Sequence, residues 1–182
     1  GGDEETSIRV FDVDTLALLD GPIDRTRYTD VAWLPSNDEL FYVRRLTPEP
    51  FNRRVWRHVI GTPIDNDVLI FGDGRDPSTY YGVDVSLDGR WLTVSASIGT
   101  EPRNDLYIAD LHGDGALRPI AEGIDAETFG EVIGEWLYLV TKLEATRTRV
   151  VRPDPLPPSP DHWVDFVPES EGVLTFFDAT TD

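Results

Sequence analysis

The sequence has 182 residues, 40% of them hydrophobic, which is enough for one or two ordinary cores and too apolar for a disordered tail. Sixteen basic against thirty-four acidic residues give a formal charge of −18, which repels phosphate backbones and anionic lipid and argues against nucleic acid or a membrane surface as partner. Cysteine is absent, which excludes disulfides, thiolate nucleophiles and thiolate metal sites.

Short runs rich in Val, Ile, Leu, Tyr, Phe and Trp recur about every eight to fifteen residues, with turn sequences such as Asp-Gly and Gly-Thr-Pro between them. This period-two pattern predicts an all-β chain, because no stretch keeps the apolar spacing of an amphipathic helix for three turns. The predicted strands, in chain order, are Ile8–Val13, Leu16–Leu19, Tyr28–Trp33, Leu40–Arg44, Val55–Ile60, Val68–Phe71, Tyr81–Ser86, Trp91–Ala96, Asp105–Asp110, Leu117–Ala121, Thr128–Ile133, Trp136–Thr141, Arg149–Arg152, Trp163–Val167 and Val173–Asp178.

One sequence pattern occurs three times and places Leu40, Trp91 and Trp136 in one alignment column, 51 and 45 residues apart. Each copy holds four antiparallel strands in about 45 to 50 residues, which is the unit of a propeller blade. The predicted fold is therefore a β-propeller fragment of about three four-stranded antiparallel blades with a partial blade at each end. The predicted limits are 1–24 for the outer strands of a preceding blade, 25–75, 76–124 and 125–170 for three blades, and 171–182 for the inner strand of a following blade.

The number of blades predicts that other parts of the ring lie outside this sequence, because propellers usually close with about four to eight blades. Methionine is absent and the chain begins Gly1-Gly2-Asp3, so we expect a processed product or an internal piece of a longer protein. Unpaired strand edges favour self-association. We therefore expect a homo-oligomer, in which Val173–Asp178 of one copy covers the partial blade of another.

Sequence features also suggest a location and a source. No basic stretch followed by an apolar one opens the chain, and no apolar run approaches the roughly 18 residues of a bilayer span. We therefore expect a cytoplasmic protein. Only Lys142 among the sixteen basic residues is a lysine, which favours a bacterial source with a high-GC genome.

The sequence offers no catalytic residue. A serine hydrolase of the α/β type presents its nucleophile in a G-x-S-x-G turn between a strand and a helix, and that pentapeptide does not occur. His58, His112 and His162 are too scattered for a zinc pair or a triad. We interpret His58 as a half-exposed sheet residue, His112 as part of a turn, and Asp161-His162-Trp163 as a turn that enters an outer strand.

The acidic turns do not predict a metal site, and no cofactor is expected. The turns near Asp65, Asp73 and Asp84 all lack the spacing of an EF-hand calcium loop. The segment Ser86–Trp91 fits a tight β-turn, because Asp and Gly suit its backbone angles. Glycine-rich pieces do not precede helices, so no phosphate cradle is predicted.

Aromatic residues recur where each innermost strand is predicted to begin, at Tyr28, at Tyr80-Tyr81 and at Phe129. In a propeller these positions ring the mouth of the central channel. Two interpretations stay open. The rings either line the channel and contact what enters it, or they pack between blades.

Several segments resemble the propeller of the prolyl oligopeptidase family of serine peptidases. The family pattern V-[WY]-x-H-x-[LI]-G-T is similar to VWRHVIGT from Val55, and the D-G-R-[WY] turn and N-D-L-[YW] strand are similar to DGRW from Asp88 and NDLY from Asn104. Similarity extends to RTRYTDVAWLP, LRPIAEGIDA and HWVDFVPES, so it covers nearly the whole chain. Oligopeptidase B, a related family, shares a version of the histidine segment.

This resemblance implies a two-domain enzyme, in which a seven-bladed propeller lies over an α/β-hydrolase domain that carries the Ser, Asp and His. The propeller admits short peptides, and the hydrolase cleaves them after proline. The family residues near the third substrate position before the scissile bond fall on Tyr28, Tyr81 and Thr100. A family arginine falls on Ser97, so this chain departs from the pattern there. No residue of the catalytic triad is present in this sequence.

Three hypotheses follow. The first is the substrate-gating part of a prolyl oligopeptidase-like peptidase, inactive without the hydrolase domain and remaining blades that are its partners, with a peptide as substrate. The second is a non-enzymatic propeller that serves as a protein-interaction scaffold. The third is a propeller lyase or glycosidase with channel carboxylates, which is disfavoured because no paired carboxylates occupy corresponding inner-strand positions.

Overall fold

The computed structural model describes residues 4–48, 51–153 and 160–177, and within them the chain is almost entirely β-structure. Two 3-10 helices, Ile64–Asn66 and Pro160–His162, are the helical elements of this described part. Its strands, in chain order, are β1 Ile8–Phe11, β2 Leu18–Ile23, β3 Val31–Trp33, β4 Glu39–Arg45, β5 Arg53–Val59, β6 Val68–Phe71, β7 Thr79–Val85, β8 Trp91–Ile98, β9 Asp105–Asp110, β10 Arg118–Ala121, β11 Thr128–Ile133, β12 Trp136–Thr141, β13 Arg149–Pro153 and β14 Trp163–Val167.

The strands form one two-stranded ribbon and three four-stranded sheets, each built from strands that are consecutive in the chain. The ribbon pairs β1 with β2, the first sheet has the order β3-β4-β5-β6, the second β7-β8-β9-β10 and the third β11-β12-β13-β14. The pairings of β1 with β2, along β3 to β6, along β8 to β10 and along β11 to β14 are antiparallel. The predicted all-β class and the four-stranded sheets are confirmed.

Most predicted strands lie within two residues of the observed bounds, and β2 extends four residues past its predicted end at Leu19. Two further predictions are wrong. The strand predicted from Tyr28 begins only at Val31. Tyr28 has a φ of 56°, a left-handed conformation that belongs to turns and cannot continue a β-strand. The chain therefore turns at Tyr28 before it enters the sheet.

The second wrong prediction is the strand Val173–Asp178. Asp178 lies outside the described residues, and no strand is assigned over 173–177. An extended segment becomes a strand only when a neighbour pairs with it along its length. Here a single hydrogen bond from the Leu174 amide to the Arg147 carbonyl is found, at 3.0 Å, and the Phe177 ring packs 5.7 Å from the ring of Tyr138.

The chain divides into two compact units, 1–83 and 84–182, and the division falls within β7. In the first unit a small apolar cluster joins the ribbon to the first sheet through the buried residues Ile23, Leu40 and Tyr42. In the second unit a larger cluster joins β9 and β10 to the third sheet. Its buried members are Leu106, Ile108, Ile120, Ala121, Val132, Leu137, Leu139 and Val151.

Alternation along the strands explains how these clusters form. In β12, Leu137 and Leu139 are buried while Trp136 is exposed and Tyr138 half-buried, as the period of two requires. None of the helices in the described part of the chain has the length and apolar character needed to cross a bilayer.

Candidate functional site

Two tyrosine rings and an arginine meet at one end of the first sheet, and we call Tyr28, Arg53 and Tyr80 the arginine–tyrosine cluster. Tyr28 lies in the turn before β3, Arg53 is the first residue of β5, and Tyr80 is the second residue of β7. The guanidinium carbon of Arg53 lies 4.1 Å from the ring centroid of Tyr80 and 5.5 Å from that of Tyr28. The two ring centroids are 6.0 Å apart. These distances fit a cation held against two aromatic faces.

The two ends of this cluster differ in exposure. Arg53 is only 2% exposed, whereas Tyr28 is 51% exposed. The Tyr28 hydroxyl donates a hydrogen bond to Glu4 Oε2 at 2.7 Å and accepts one from Arg27 Nη2 at 3.1 Å. Glu4 and Arg27 also form an ion pair. At this end of the sheet the protein surface therefore presents the half-exposed ring of Tyr28 over the buried guanidinium of Arg53.

Three more arginines surround Arg53, and all are buried. In the antiparallel register of β4 and β5, Arg45 lies opposite Arg53 and Arg44 lies opposite Arg54. Arg45 pairs with Glu5, and Arg44 Nη1 lies 3.8 Å from Asp67 Oδ2. A cleft of about 710 Å³ opens beside them. Its lining residues are Glu5, Thr6, Ser7, Asp24, Arg25, Arg45 and Pro48.

Of the two predicted site tyrosines, the structure places only Tyr28 in the cluster. Tyr81 is 6% exposed and packs edge-on against Phe71, with ring centroids 6.0 Å apart. Burial raises the pKa of its hydroxyl. Consecutive strand residues point to opposite faces of a sheet, so Tyr80 meets Tyr28 and Tyr81 cannot. The alternation in β7 was the sequence signal that could have identified Tyr80.

The remaining predicted positions lie in the second unit. Thr100 is exposed in the turn that follows β8, and Phe129 is 56% exposed near the start of β11. Both are thus accessible side chains of their own unit. Arg53, in contrast, was missed by sequence reasoning, because an arginine at the start of a strand normally predicts a solvated position.

The interpretation of His58 as half-exposed is wrong, because its side chain is fully buried. Its Nδ1 lies 2.6 Å from Asp67 Oδ1 and its Nε2 lies 2.9 Å from Asp20 Oδ2. Tyr42 donates its hydroxyl hydrogen to the other oxygen of Asp67 at 2.5 Å. A buried imidazole is stable here because two carboxylates satisfy both ring nitrogens. We call Asp20, His58 and Asp67 the histidine–aspartate network.

The charge state of this network follows from its contacts. Burial alone would lower the pKa of His58, but hydrogen bonds and attraction from Asp67 and Asp20 outweigh burial and raise this pKa. Burial likewise opposes ionisation of Asp20, yet hydrogen bonds from His58, Gly61 and Gly21 lower the pKa of that carboxyl. Both ring nitrogens face carboxylate oxygens, and this arrangement favours a protonated imidazole between the two carboxylates. The network cannot act as a general base, since no ring nitrogen is free to accept a proton.

The other candidate groups have structural roles. The Asp88 carboxylate accepts hydrogen bonds from Ser86 Oγ at 2.6 Å and from the Arg90 amide at 3.1 Å, which confirms the predicted tight turn. The His112 amide donates to Asp110 Oδ1 in another turn, and His162 ends a 3-10 helix before β14. Across residues 4–48, 51–153 and 160–177, no group of three acidic or histidine side chains is placed to hold a metal ion.

Comparison with known proteins gives consistent results. A family described as "Prolyl oligopeptidase, N-terminal beta-propeller domain" matches residues 1–181. A prolyl endopeptidase of Elizabethkingia meningoseptica is 30% identical over 96% of this chain and 26% of its own length, and that of Elizabethkingia miricola is 28% identical over 93% and 25%. The chain thus spans about a quarter of the length of these relatives.

Solved structures agree with the sequence relatives. One from a study of two prolyl endopeptidases superposes with a TM-score of 0.83 at 26% identity, over 92% of this chain and 26% of that one. Prolyl oligopeptidase B of Galerina marginata has the same fold, with a TM-score of 0.80 at 22% identity over 93% of this chain and 26% of its own. The predicted partial β-propeller is confirmed by these likenesses.

Proposed function

Because the chain belongs to the prolyl oligopeptidase family and forms part of its N-terminal β-propeller domain, we propose that it gates access of short peptides to a serine peptidase that cleaves after proline. The observation that carries the proposal is the family match over residues 1–181. The sequence lacks the G-x-S-x-G serine motif, so we propose that cleavage is carried out by residues outside this sequence. The chain alone is then an inactive gating module.

The test uses the gene product that carries this chain. We expect it to release a fluorescent amine from a blocked peptide with proline before the reporter, and we expect the 182-residue chain alone to release none. The same proline segment placed in a stable folded protein should stay intact, because a gate admits only small substrates. A gene product with no G-x-S-x-G serine, or one that digests the folded protein equally well, would overturn the proposal.

We propose Tyr28, Tyr81 and Thr100 as substrate contacts, and the geometry supports adding Tyr80. Tyr28 is half-exposed at the edge of the cluster, so Tyr28→Ala should weaken peptide binding with little effect on the melting temperature. Tyr81→Ala should instead lower the melting temperature, because Tyr81 is buried against Phe71. Equal loss of stability in both variants would indicate that Tyr28 only packs.

The partners in this proposal are the α/β-hydrolase domain, the remaining blades and the peptide substrate. We propose blade limits at 25–75, 76–124 and 125–170, with 1–24 and 171–182 in the neighbouring blades. Exposed apolar side chains on the third sheet, among them Phe129, Trp136 and Phe166, suit contact with another blade. When the chain is alone, these side chains favour a homo-oligomer, and a monodisperse monomer in light scattering would contradict that part.

We also propose a bacterial source and a cytoplasmic location. The composition supports the source, since one lysine accompanies fifteen arginines, a bias typical of high-GC genomes. Fractionation of the source cells tests the location. The chain should be recovered with a cytoplasmic marker enzyme, and recovery in the secreted fraction would contradict the proposal.

A further inference from the structure

Two buried guanidinium groups in the first unit have no carboxylate partner. Arg53 and Arg54 are 2% and 6% exposed, and within the described residues neither forms an ion pair. The Nε and Nη1 atoms of Arg53 and the Nε atom of Arg54 are buried without a hydrogen-bond partner. Arg54 Nη1 donates to the Arg53 carbonyl at 2.6 Å.

Uncompensated buried cations are unusual, because removal of a charge from water costs several kcal/mol unless an opposite charge or a set of hydrogen bonds replaces the water. The chain has thirty-four acidic residues for sixteen basic ones, so acidic partners are not scarce. Exposed Arg57, four residues further along β5, does pair with Glu39. The two tyrosine rings offset part of the cost for Arg53 through their electron-rich faces, but they accept no N–H hydrogen bond in its plane.

We propose that the arginine–tyrosine cluster binds a carboxylate group. A guanidinium with free donors between aromatic faces matches the planar geometry of a carboxylate. A carboxylate is favoured over a phosphate, because the field of a chain with a charge of −18 repels a dianion more strongly than a monoanion.

The carboxylate has two candidate sources, and the exposed side of the cluster favours the first. Tyr28 is the exposed member, so its half-exposed ring is the side of the cluster that a ligand reaches first. The inference rests on the proposed function at this point: a peptide that passes the gate brings the carboxylate, either as an acidic side chain before the proline or as a terminal group. The second source is an acidic side chain from a part of the parent protein outside this sequence.

The first experiment needs no variant. The full-length gene product is assayed at low salt with matched blocked peptides that carry Glu or Gln at one of the three positions before proline, and with a fluorescent amine after it. At one position the Glu peptide should have a kcat/KM about tenfold higher than the Gln peptide, since a hydrogen bond to a charged group contributes on that order. The difference should shrink as salt rises.

Substitutions at Arg53 then test whether this side chain causes the preference for the Glu peptide over the Gln peptide. Arg53→Met removes the charge while it keeps much of the side-chain volume, and it should bring the kcat/KM ratio of the Glu and Gln peptides to about one. Arg53→Lys keeps a charge but not the planar donors, and it should retain only part of the preference. Arg57→Met is the matched control on the same strand, and it should leave the ratio unchanged.

The remaining outcomes separate the two sources and the two proposals. If wild-type protein treats Glu and Gln alike, and Arg53→Met lowers the melting temperature and kcat/KM for both peptides equally, the carboxylate comes from the parent protein itself. If wild-type protein treats the peptides alike and Arg53→Met changes neither quantity, the carboxylate site is wrong. Failure to cleave either peptide would instead contradict the proposed peptidase function.

Discussion

In the first sheet, strands β4 and β5 bury charged side chains next to apolar ones such as Leu40 and Val43, whereas the described residues of β12 and β13 in the third sheet bury no charged side chain. The buried charged residues of β4 and β5 are Arg44, Arg45, Arg53, Arg54 and His58, and the buried apolar residues of β12 and β13 are Leu137, Leu139, Val150 and Val151. The two sheets have the same strand order and antiparallel pairing. Sheet architecture therefore does not decide what a sheet encloses.

The difference shows which interactions hold each sheet together. Apolar burial in the third sheet stabilises it roughly in proportion to the area removed from water. In the first sheet the buried cations cost desolvation, so its stability depends on particular partners such as Asp67 and Asp20. A sheet of the first kind suits a binding surface, because it holds charge ready for a ligand, while one of the second kind suits a scaffold.

The largest expected effect comes from loss of the charge at Asp67. Its side chain is 1% exposed and contacts His58, Tyr42 and Arg44. Asp67→Asn keeps the shape but leaves the protonated His58 and Arg44 with less negative charge, so we expect the free energy of unfolding in urea to fall by about 3 to 5 kcal/mol.

The control for this change is Asp65→Asn in the 3-10 helix Ile64–Asn66 that directly precedes Asp67, because the Asp65 carboxylate is exposed. We expect no measurable change there. If the two variants lose similar stability, the buried network contributes nothing beyond ordinary surface charge, and the contrast between the sheets fails.

A somewhat smaller effect is expected in the hydrocarbon interior. Leu139 is fully buried in the apolar cluster of the second unit. Leu139→Ala should lower the free energy of unfolding by about 3 kcal/mol, because it removes buried methyl groups and leaves a cavity. Leu87→Ala, at an 89% exposed leucine, is the control and should be near neutral. A loss below about 1 kcal/mol at Leu139 would mean that the third sheet is not held by its apolar packing.

This contrast also explains how much the sequence alone could predict. Strands such as Asp105–Asp110 and Trp136–Thr141 have the predicted bounds, because alternation and turn residues mark them locally. The apolar cluster follows from the same alternation. The burial of His58 does not follow from alternation, because one of the two carboxylates that make it possible, Asp20, lies thirty-eight residues away in the sequence.

The candidate site shows the same limit. Tyr28 could be found from its recurrence at strand starts, and Tyr80 from the alternation in β7. The role of Arg53 depends on two rings contributed by segments about 25 residues on either side of it, and on the absence of an acidic partner. Neither condition has a local sequence signal. The sequence therefore predicts the scaffold better than the chemistry placed on it.

A third effect is a dependence of the stability of the first sheet on pH. The folded-state pKa of His58 is raised, so its contribution to stability is complete below the unfolded value of about 6.5 and is lost as pH rises through the folded value. Each unit of the raised pKa corresponds to about 1.4 kcal/mol. The pKa of Asp20 is lowered and that of Tyr42 is raised, so neither facing group changes its charge between pH 6 and 9.

Native-state hydrogen exchange can measure whether pH affects the first sheet more than the third. After correction for intrinsic rates, protection of the amides of β4 should fall relative to those of β12 between pH 6 and 9. The buried polar groups of the third sheet, Thr128 and Thr141, do not titrate, so β12 is the internal reference. Parallel loss in both strands, or a gain in β4, would contradict a protonated His58.

The smallest effect is expected at a charge pair on the surface of the second unit. Hydrogen bonds from Arg118 hold the pKa of Asp114 at about 2, yet both side chains are largely exposed. A lowered pKa would add stability that is lost in acid, but solvent and salt screen an exposed pair. Asp114→Asn keeps an oxygen for the Ala116 amide, so we expect urea midpoints that coincide with wild type at pH 7 and at pH 3. If Asp114→Asn loses as much stability as Asp67→Asn, exposed and buried charges contribute equally to stability. Burial would then not explain the contribution of the charges in the first sheet.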